Sequence, residues 1–293
     1  MNSITSDIIP QDWSQWSETK PQLIKPLAGG LTNQNYLISV DKVLCVLRIN
    51  SPISAALDLN RAVEKQALQH ADKAGLCAAL VYCDPDYHYL LTRYIPNQAW
   101  TIDNGLPQLA QLLRNIHQLD AVDGKLDITE KIKQYWQGIN SQSDFMPKLA
   151  SLKNVVKPYI ETAAHLSEGL CLCHNDLILN NVVFADDGTL YAIDWEYAAM
   201  ADPFHDLAVI AEEYELNAEQ QAYLLNTYLQ REVAGKDRQR LYCWRVLYRY
   251  LTLLWYAVQL SNNAMPDVIT AQSVLTQFDK ITALIAKNEI LKP

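Results

Sequence analysis

Between Leu172 and Glu196 the chain carries a pattern that leaves little choice of local fold. Val182-Val183-Phe184 and Leu190-Tyr191-Ala192-Ile193 are apolar, β-prone runs on either side of Asp187-Gly188. Such runs around Asp-Gly predict a hairpin, because Asp and above all Gly accept the positive φ that a reversal demands. A hairpin brings its second strand back beside the start of its first. It therefore sets Asp194 close to Asn181 and lets Asp176, Asn181 and Asp194 converge at one end of a short ribbon. Two carboxylates and an amide oxygen make a hard-oxygen site suited to Mg2+, which takes few protein ligands and fills its shell with phosphate oxygens. A carboxylate left off the metal can orient an alcohol and accept its proton. Any one of these residues alone is more simply a turn cap. The joint spacing carries the chemical reading: His174-x-Asp176, Asn181 five residues past the Asp, and Asp194 after the reversal.

The rest of the chain sorts into two regimes. Leu27–Asn50 reads as paired strands around an Asp41-Lys42 turn, followed by a helix from about Leu57 to Lys73 that Gly75 stops. Short strands are expected at Leu80–Cys83 and His88–Tyr94. After Pro96 the period changes. Leu109, Leu112, Leu113, Ile116 and Leu119 form the apolar stripe of a helix over 106–119, and 128–167 also reads as helical. Helices resume from Pro203. The expected fold is α+β, with residues 1–95 as a small β-rich N-terminal nucleotide-binding lobe and 96–293 as a larger helical lobe for catalysis and substrate.

Bulk properties narrow the function. Among 293 residues, 49% are hydrophobic and 19% charged, enough to bury a sizeable core. A net charge of -9 argues against a nucleic-acid partner and suits a cationic substrate. The six cysteines form no C-x-x-C pair, and Cys171-x-Cys173 has too short a spacer for a zinc pair, so they read as buried thiols of a reducing compartment. Met1–Pro10 lacks a basic start followed by an apolar run, and the apolar stretch Tyr250–Leu260 is too short to span a bilayer. These features place the protein in the cytoplasm, with no membrane span.

Four segments together resemble the aminoglycoside phosphotransferase and choline kinase superfamily, bacterial choline/ethanolamine and thiamine kinases above all. They are His174-Asn175-Asp176…Asn181, Ile193-Asp194-Trp195-Glu196-Tyr197-Ala198, Asp202-Pro203…Asp206-Leu207-Ala208 and, more weakly, Gly29-Gly30-Leu31-Thr32-Asn33. The resemblance implies a bilobal protein-kinase-like fold and transfer of the γ-phosphoryl group of ATP, with Mg2+, to the hydroxyl of a small molecule. It implies Asp176 as catalytic base, His174 as brace of the catalytic loop, Asn181 and Asp194 as metal ligands, and Asp206 as the acid that ties the loop down on the acceptor side. The missing D-F-G and A-P-E elements argue against a protein kinase.

On the nucleotide side, Gly29 and Gly30 let backbone approach phosphates, and Thr32 and Asn33 add side-chain donors. Arg48 stands where the resemblance expects the phosphate-gripping cation, with Glu64 as its helix partner. The crossover containing Thr92 and Tyr94 is expected to meet adenine. On the acceptor side, Glu213 and Trp255 match choline-binding positions, in an acidic run (Asp202, Asp206, Glu212, Glu213, Glu215) without Lys or Arg. Trp244, Tyr248 and Trp255 share one helix face, as a cation-binding stripe or as plain core. Thr252 replaces an aromatic of the eukaryotic choline enzymes. That departure counts against choline itself and leaves thiamine, ethanolamine or another cation open. A cationic alcohol such as choline, ethanolamine or thiamine is the favoured acceptor, with an aminoglycoside or sugar-alcohol kinase, or a non-catalytic nucleotide- or amine-binding pseudokinase, as alternatives.

Overall fold

The computed structural model describes residues 8–28, 33–51, 59–263 and 268–287. Gly29, Gly30 and Thr32 lie outside them. The chain divides into two compact units: Met1–Gly124 with Leu179–Ala199, and Lys125–Ile178 with Met200–Pro293.

The first unit is built on a five-stranded antiparallel sheet. Its strands are β1 (Gln22–Leu27), β2 (Gln34–Val40), β3 (Val43–Ile49), β4 (Leu80–Cys83) and β5 (Tyr89–Arg93), in the order β1-β2-β3-β5-β4. Asp41 and Lys42 join β2 to β3 with φ of 47° and 69°, the two left-handed residues of a hairpin loop whose twist suits the strands. Strand alternation then sorts the side chains. Ile38, Val40, Cys45, Leu47, Tyr89 and Leu91 form a core on one face, covered by Ile9. Val46, Arg48, Leu90 and Thr92 line a cavity on the other.

Helix α1 (Arg61–Lys73) begins four residues after the expected Leu57, because Asn60 caps it: its side chain accepts the amides of Ala62 and Val63. Gly75, with φ of 69°, follows its end as expected. Helix α2 (Ile102–Ile116) begins earlier than expected, after Thr101, and carries Pro107 inside it.

The later stretch joins this unit through the backbone. After β6 (Cys171–Cys173, in the second unit), β7 (Val182–Phe184) and β8 (Leu190–Ala192) pair as the expected hairpin. Its loop closes through Ala185 N–H to Thr189 O at 2.9 Å, with Gly188 at φ 83°. Ala192 N–H donates to Leu76 O at 2.9 Å, and Gln98 N–H to Phe184 O at 2.8 Å.

The second unit is helical. The expected helix over 128–167 is two, α3 (Ile128–Gly138) and α4 (Met146–His165), interrupted where Ile139 turns extended. Beyond β9 (Ala199–Ala201), a three-residue strand that pairs with β6, come α5 (Pro203–Glu213), α6 (Ala218–Leu229), α7 (Gly235–Ser261) and α8 (Ala271–Ala286). The long α7 packs against α3, α4, α5 and α8 through fully buried Val246, Leu247, Leu253 and Leu254. All six cysteines are free. No helix among the described residues is long and apolar enough to cross a membrane. A β-sheet N-terminal lobe followed by a helical C-terminal lobe is the expected bilobal α+β class.

Candidate active site

The first unit holds a cavity of about 580 Å³. Val46, Ala78, Leu90, Ile95, Val183 and Ile193 give it apolar walls, and Arg48, Glu64, Thr92, Asn181 and Asp194 its polar groups. Arg48 is only 5% exposed. It pairs with Glu64 through one terminal nitrogen and with Asp194 Oδ1 through the other at 2.7 Å, while Nε donates to Asn50 Oδ1 at 3.0 Å. Burial alone would weaken its hold on the proton. The charges of Glu64, Asp194 and Glu196 reverse this and keep the guanidinium firmly charged.

Asn181 and Asp194 line the same cavity, as the hairpin requires, and Ile193 N–H donates to Asn181 O at 2.9 Å. Asp194 sits at φ 62°, a region that Asp and Asn tolerate better than other side chains. Burial raises its pKa against the pull of Arg48. Burial, then the charge of Asp194, raises that of Glu196. Arg61 joins the group, on Glu64 at 2.7 Å and Glu196 at 3.1 Å. Three carboxylates thus face two guanidinium groups, an excess of one negative charge beside two hard-oxygen side chains. That donor set fits Mg2+.

Other nucleotide-side expectations meet specific facts. Thr92 and Tyr94 line the cavity. The amides of Arg93 and Tyr94 are already given to Ala79 O at 2.8 Å and Leu44 O at 3.1 Å, so the next amide along is that of Ile95, and Pro96 has none. Asn33 is 6% exposed and spends its amide group on protein partners rather than standing open as a donor.

The second unit contains the other expected residues. Asp206, fully buried in α5, accepts the amides of His174 at 2.9 Å and Asn175 at 2.7 Å, so it ties the loop before Asp176 down. Asn175 has φ of 64°, and a helix carboxylate holding its amide stabilises that conformation. His174 is fully buried. Asp176 is half-buried, and its charge is felt at Tyr248. Burial first, then the charges of Glu213 and Asp176, hold the Tyr248 hydroxyl well above the ordinary tyrosine range. Tyr248 is therefore within electrostatic reach of both Glu213 and Asp176.

The acidic run is not free of cations. Arginines of α7 pair with three of its five acids: Arg240 on Asp202 at 2.8 Å, Arg245 and Arg249 on Glu212 at 2.5 Å each, and Arg249 on Glu213 at 3.0 Å. Glu213 keeps 30% of its side chain exposed. The aromatic stripe divides. Trp244 is core, edge-on to His205 at 5.5 Å, whereas Tyr248 and Trp255 are half-buried. Trp255 stands edge-on to Tyr256 at 5.3 Å. Burial and the charge of Glu213 raise the pKa of Tyr256, a neighbour of Glu213 that the stripe did not include because it follows Trp255 directly in sequence.

Comparison with known proteins follows these segments. The sequence model of the phosphotransferase enzyme family matches residues 23–244. Protein LicA of Haemophilus influenzae is 31% identical over 212 residues, 68% of this chain. The match spans 61% of that LicA, less than two thirds of its length. Two crystal structures share the fold. Choline kinase LicA from Streptococcus pneumoniae matches with a TM-score of 0.76 over 90% of this chain and 95% of its own, at 24% identity. LicA in complex with AMP matches with a TM-score of 0.78 over 98% and 99%, at 22% identity. With a family match that runs from β1 into α7 through every motif segment, the chain belongs to the phosphotransferase enzyme family, in the superfamily of aminoglycoside phosphotransferases and choline/ethanolamine kinases.

Proposed function

We propose that the protein transfers the γ-phosphoryl group of ATP to the hydroxyl of a small cationic alcohol of the choline, ethanolamine or thiamine class. The observation that carries this reading is Arg48, held by the helix acid Glu64 on one side and by Asp194 on the other, in a cavity of nucleotide size. The AMP-bound LicA of the same fold supports a nucleotide there, and the choline kinase LicA of Streptococcus pneumoniae supports the acceptor class.

In this mechanism Arg48 meets phosphate oxygens with its forked donors. Asn181 and Asp194 would hold Mg2+, which would supply positive charge to offset that of the phosphates. Asp176 orients the acceptor hydroxyl and takes its proton as the new O–P bond forms and ADP leaves. His174 and Asp206 keep the Asp176 loop in place, and Gly29, Gly30 and Thr32 contribute on the phosphate side. Glu213, Tyr248, Tyr256 and Trp255 receive the cationic end, an anion and ring faces together suiting an ammonium group. Functionally we divide the chain after residue 95: nucleotide grip before it, metal ligands, base and acceptor groups after it.

An ADP-release screen with choline, ethanolamine, thiamine, kanamycin, homoserine and methylthioribose tests the proposal. Turnover is expected to be fastest with a cationic alcohol, and activity on an uncharged sugar alone would discard the acceptor assignment. Asp176→Ala is expected to lower kcat by about 10²–10⁴-fold with the fold retained, and near-normal turnover removes Asp176 from its role. Asp194→Ala is expected to raise the magnesium concentration needed for half-maximal rate.

A further inference from the structure

We propose that Asn33, Arg61 and Glu196 form a coupling element through which a divalent cation at Asp194 and a nucleotide in the cavity strengthen each other's binding. The inference rests on the nucleotide-site reading above and goes beyond it, because none of the three residues is among those that line the cavity. They are positioning residues.

The bonds close a ring. Asn33 Nδ2 donates to Glu196 Oε2 at 2.7 Å, and Asn33 Oδ1 accepts from Arg61 Nη2 and from the Ser51 amide, both at 3.2 Å. Arg61 Nη1 donates to Glu196 Oε2 at 3.1 Å and to Glu64 Oε2 at 2.7 Å. The other oxygen of Glu64 takes Arg48, whose Nη1 donates to Asp194 Oδ1 at 2.7 Å. Asp194 and Glu196 are two residues apart, so the chain itself closes the circuit.

The ring ties together two chain segments that border one cavity. Leu27, Ala28 and Asn35, at the facing ends of β1 and β2, line it, as do Ile193, Asp194 and Trp195. Asn33 immediately precedes β2, and Glu196 follows Trp195. Their bond at 2.7 Å ties the two lining segments to each other. A neutral amide suits this position, since it both donates to a carboxylate and accepts from a guanidinium without adding charge.

Charge redistribution supplies the coupling. Any cation that Asp194 Oδ1 would ligate competes with Arg48 Nη1, which stands 2.7 Å from that oxygen. A cation that takes the Asp194 oxygens weakens that bond and turns Arg48 toward phosphate oxygens, so each ligand prepares the site for the other. Transmission needs Glu196 and Asp194 held in fixed register with β2, and Asn33 and Arg61 supply that hold. Two sites linked in this way show the same coupling factor whichever ligand binds first.

The test is calorimetric titration of ADP in excess EDTA and at saturating MgCl2, for the wild type, Asn33→Ala and Glu196→Gln. The ratio of the two Kd values is the coupling factor. It is expected to fall by about tenfold in each variant, whereas a merely structural defect weakens binding in both media alike. Thermal melts verify folding, and Glu196→Gln keeps the shape of the side chain should Asn33→Ala fail to fold. A coupling factor within about twofold of wild type in the folded variants overturns the proposal. A wild type that binds ADP in neither medium overturns the nucleotide-site reading itself, a result of a different kind.

Discussion

Arg48 faces two carboxylates from a position with almost no access to water. Removing it leaves Glu64 and Asp194 without their main counter-charge, and one-sided loss of a buried pair costs about 3–5 kcal/mol. Arg48→Ala is therefore expected to lower the urea midpoint of unfolding by that much stability as well as to weaken nucleotide binding. His205 gives a second expectation. It is buried, stacks edge-on against Trp244 and Tyr248, and neither ring nitrogen has a hydrogen-bond partner among the described residues. Burial lowers its pKa below 6.5, and the charges of Asp206 and Asp202 oppose this only in part. The unfolded chain then binds a proton that the native protein refuses, so stability is lost as pH falls below 6.5 toward the depressed native value. Urea unfolding at about pH 7.5 and about pH 5.5 should show a smaller acid loss in His205→Phe than in wild type.

The shared placement of Asn181 and Asp194 on one cavity followed from local spacing, and the pairing of Arg48 with Glu64 followed from the resemblance. Asn33 was named as a phosphate-side donor, but its bond to Glu196 was not legible, because the two lie 163 positions apart. The acidic run of α5 looked unopposed for the same reason, since its arginines arrive only in α7.

At the level of elements, Gly105 in α2 shows how tertiary contact overrides propensity. Gly→Ala inside a helix ordinarily stabilises by about 1 kcal/mol. Here a Cβ would clash with Cε3 of Trp100, one of the cavity residues. Either the ring or the helix has to move, and overpacking of this kind costs about 1–3 kcal/mol. Gly105→Ala is thus expected to destabilise in urea and to raise the Kd for ADP as Trp100 shifts. Unchanged values in both would show that the ring turns away freely.

Strands bounded by strong turn signals were legible to within a residue or two, as with β2 and β3 around Asp41-Lys42. The starts of α3 and α5, at Ile128 and Pro203, were legible too, but those of α1 and α2 were not, since Asn60 and Thr101 are ordinary polar residues until a cap forms on one and a helix starts after the other. Strand β9 escaped notice because a three-residue strand has too short a pattern to read.

For the whole molecule, ligand linkage makes the clearest expectation. A ligand at 100 times its Kd stabilises the native state by about 2.7 kcal/mol, and a chain of this size gains about 2–4 °C per kcal/mol. ADP with MgCl2 should therefore raise Tm by several degrees, and by more than either alone if the two are coupled. The order of the chain has a further consequence. Residues 179–199 belong with the first compact unit, yet the stretches on both sides of them build the second. Neither unit is an uninterrupted length of polypeptide. On the ribosome, Leu76 and Cys77 must wait for Ala192 to emerge before their backbone bonds can close. A gene split after codon 124 would accordingly yield two incomplete products rather than two independent modules.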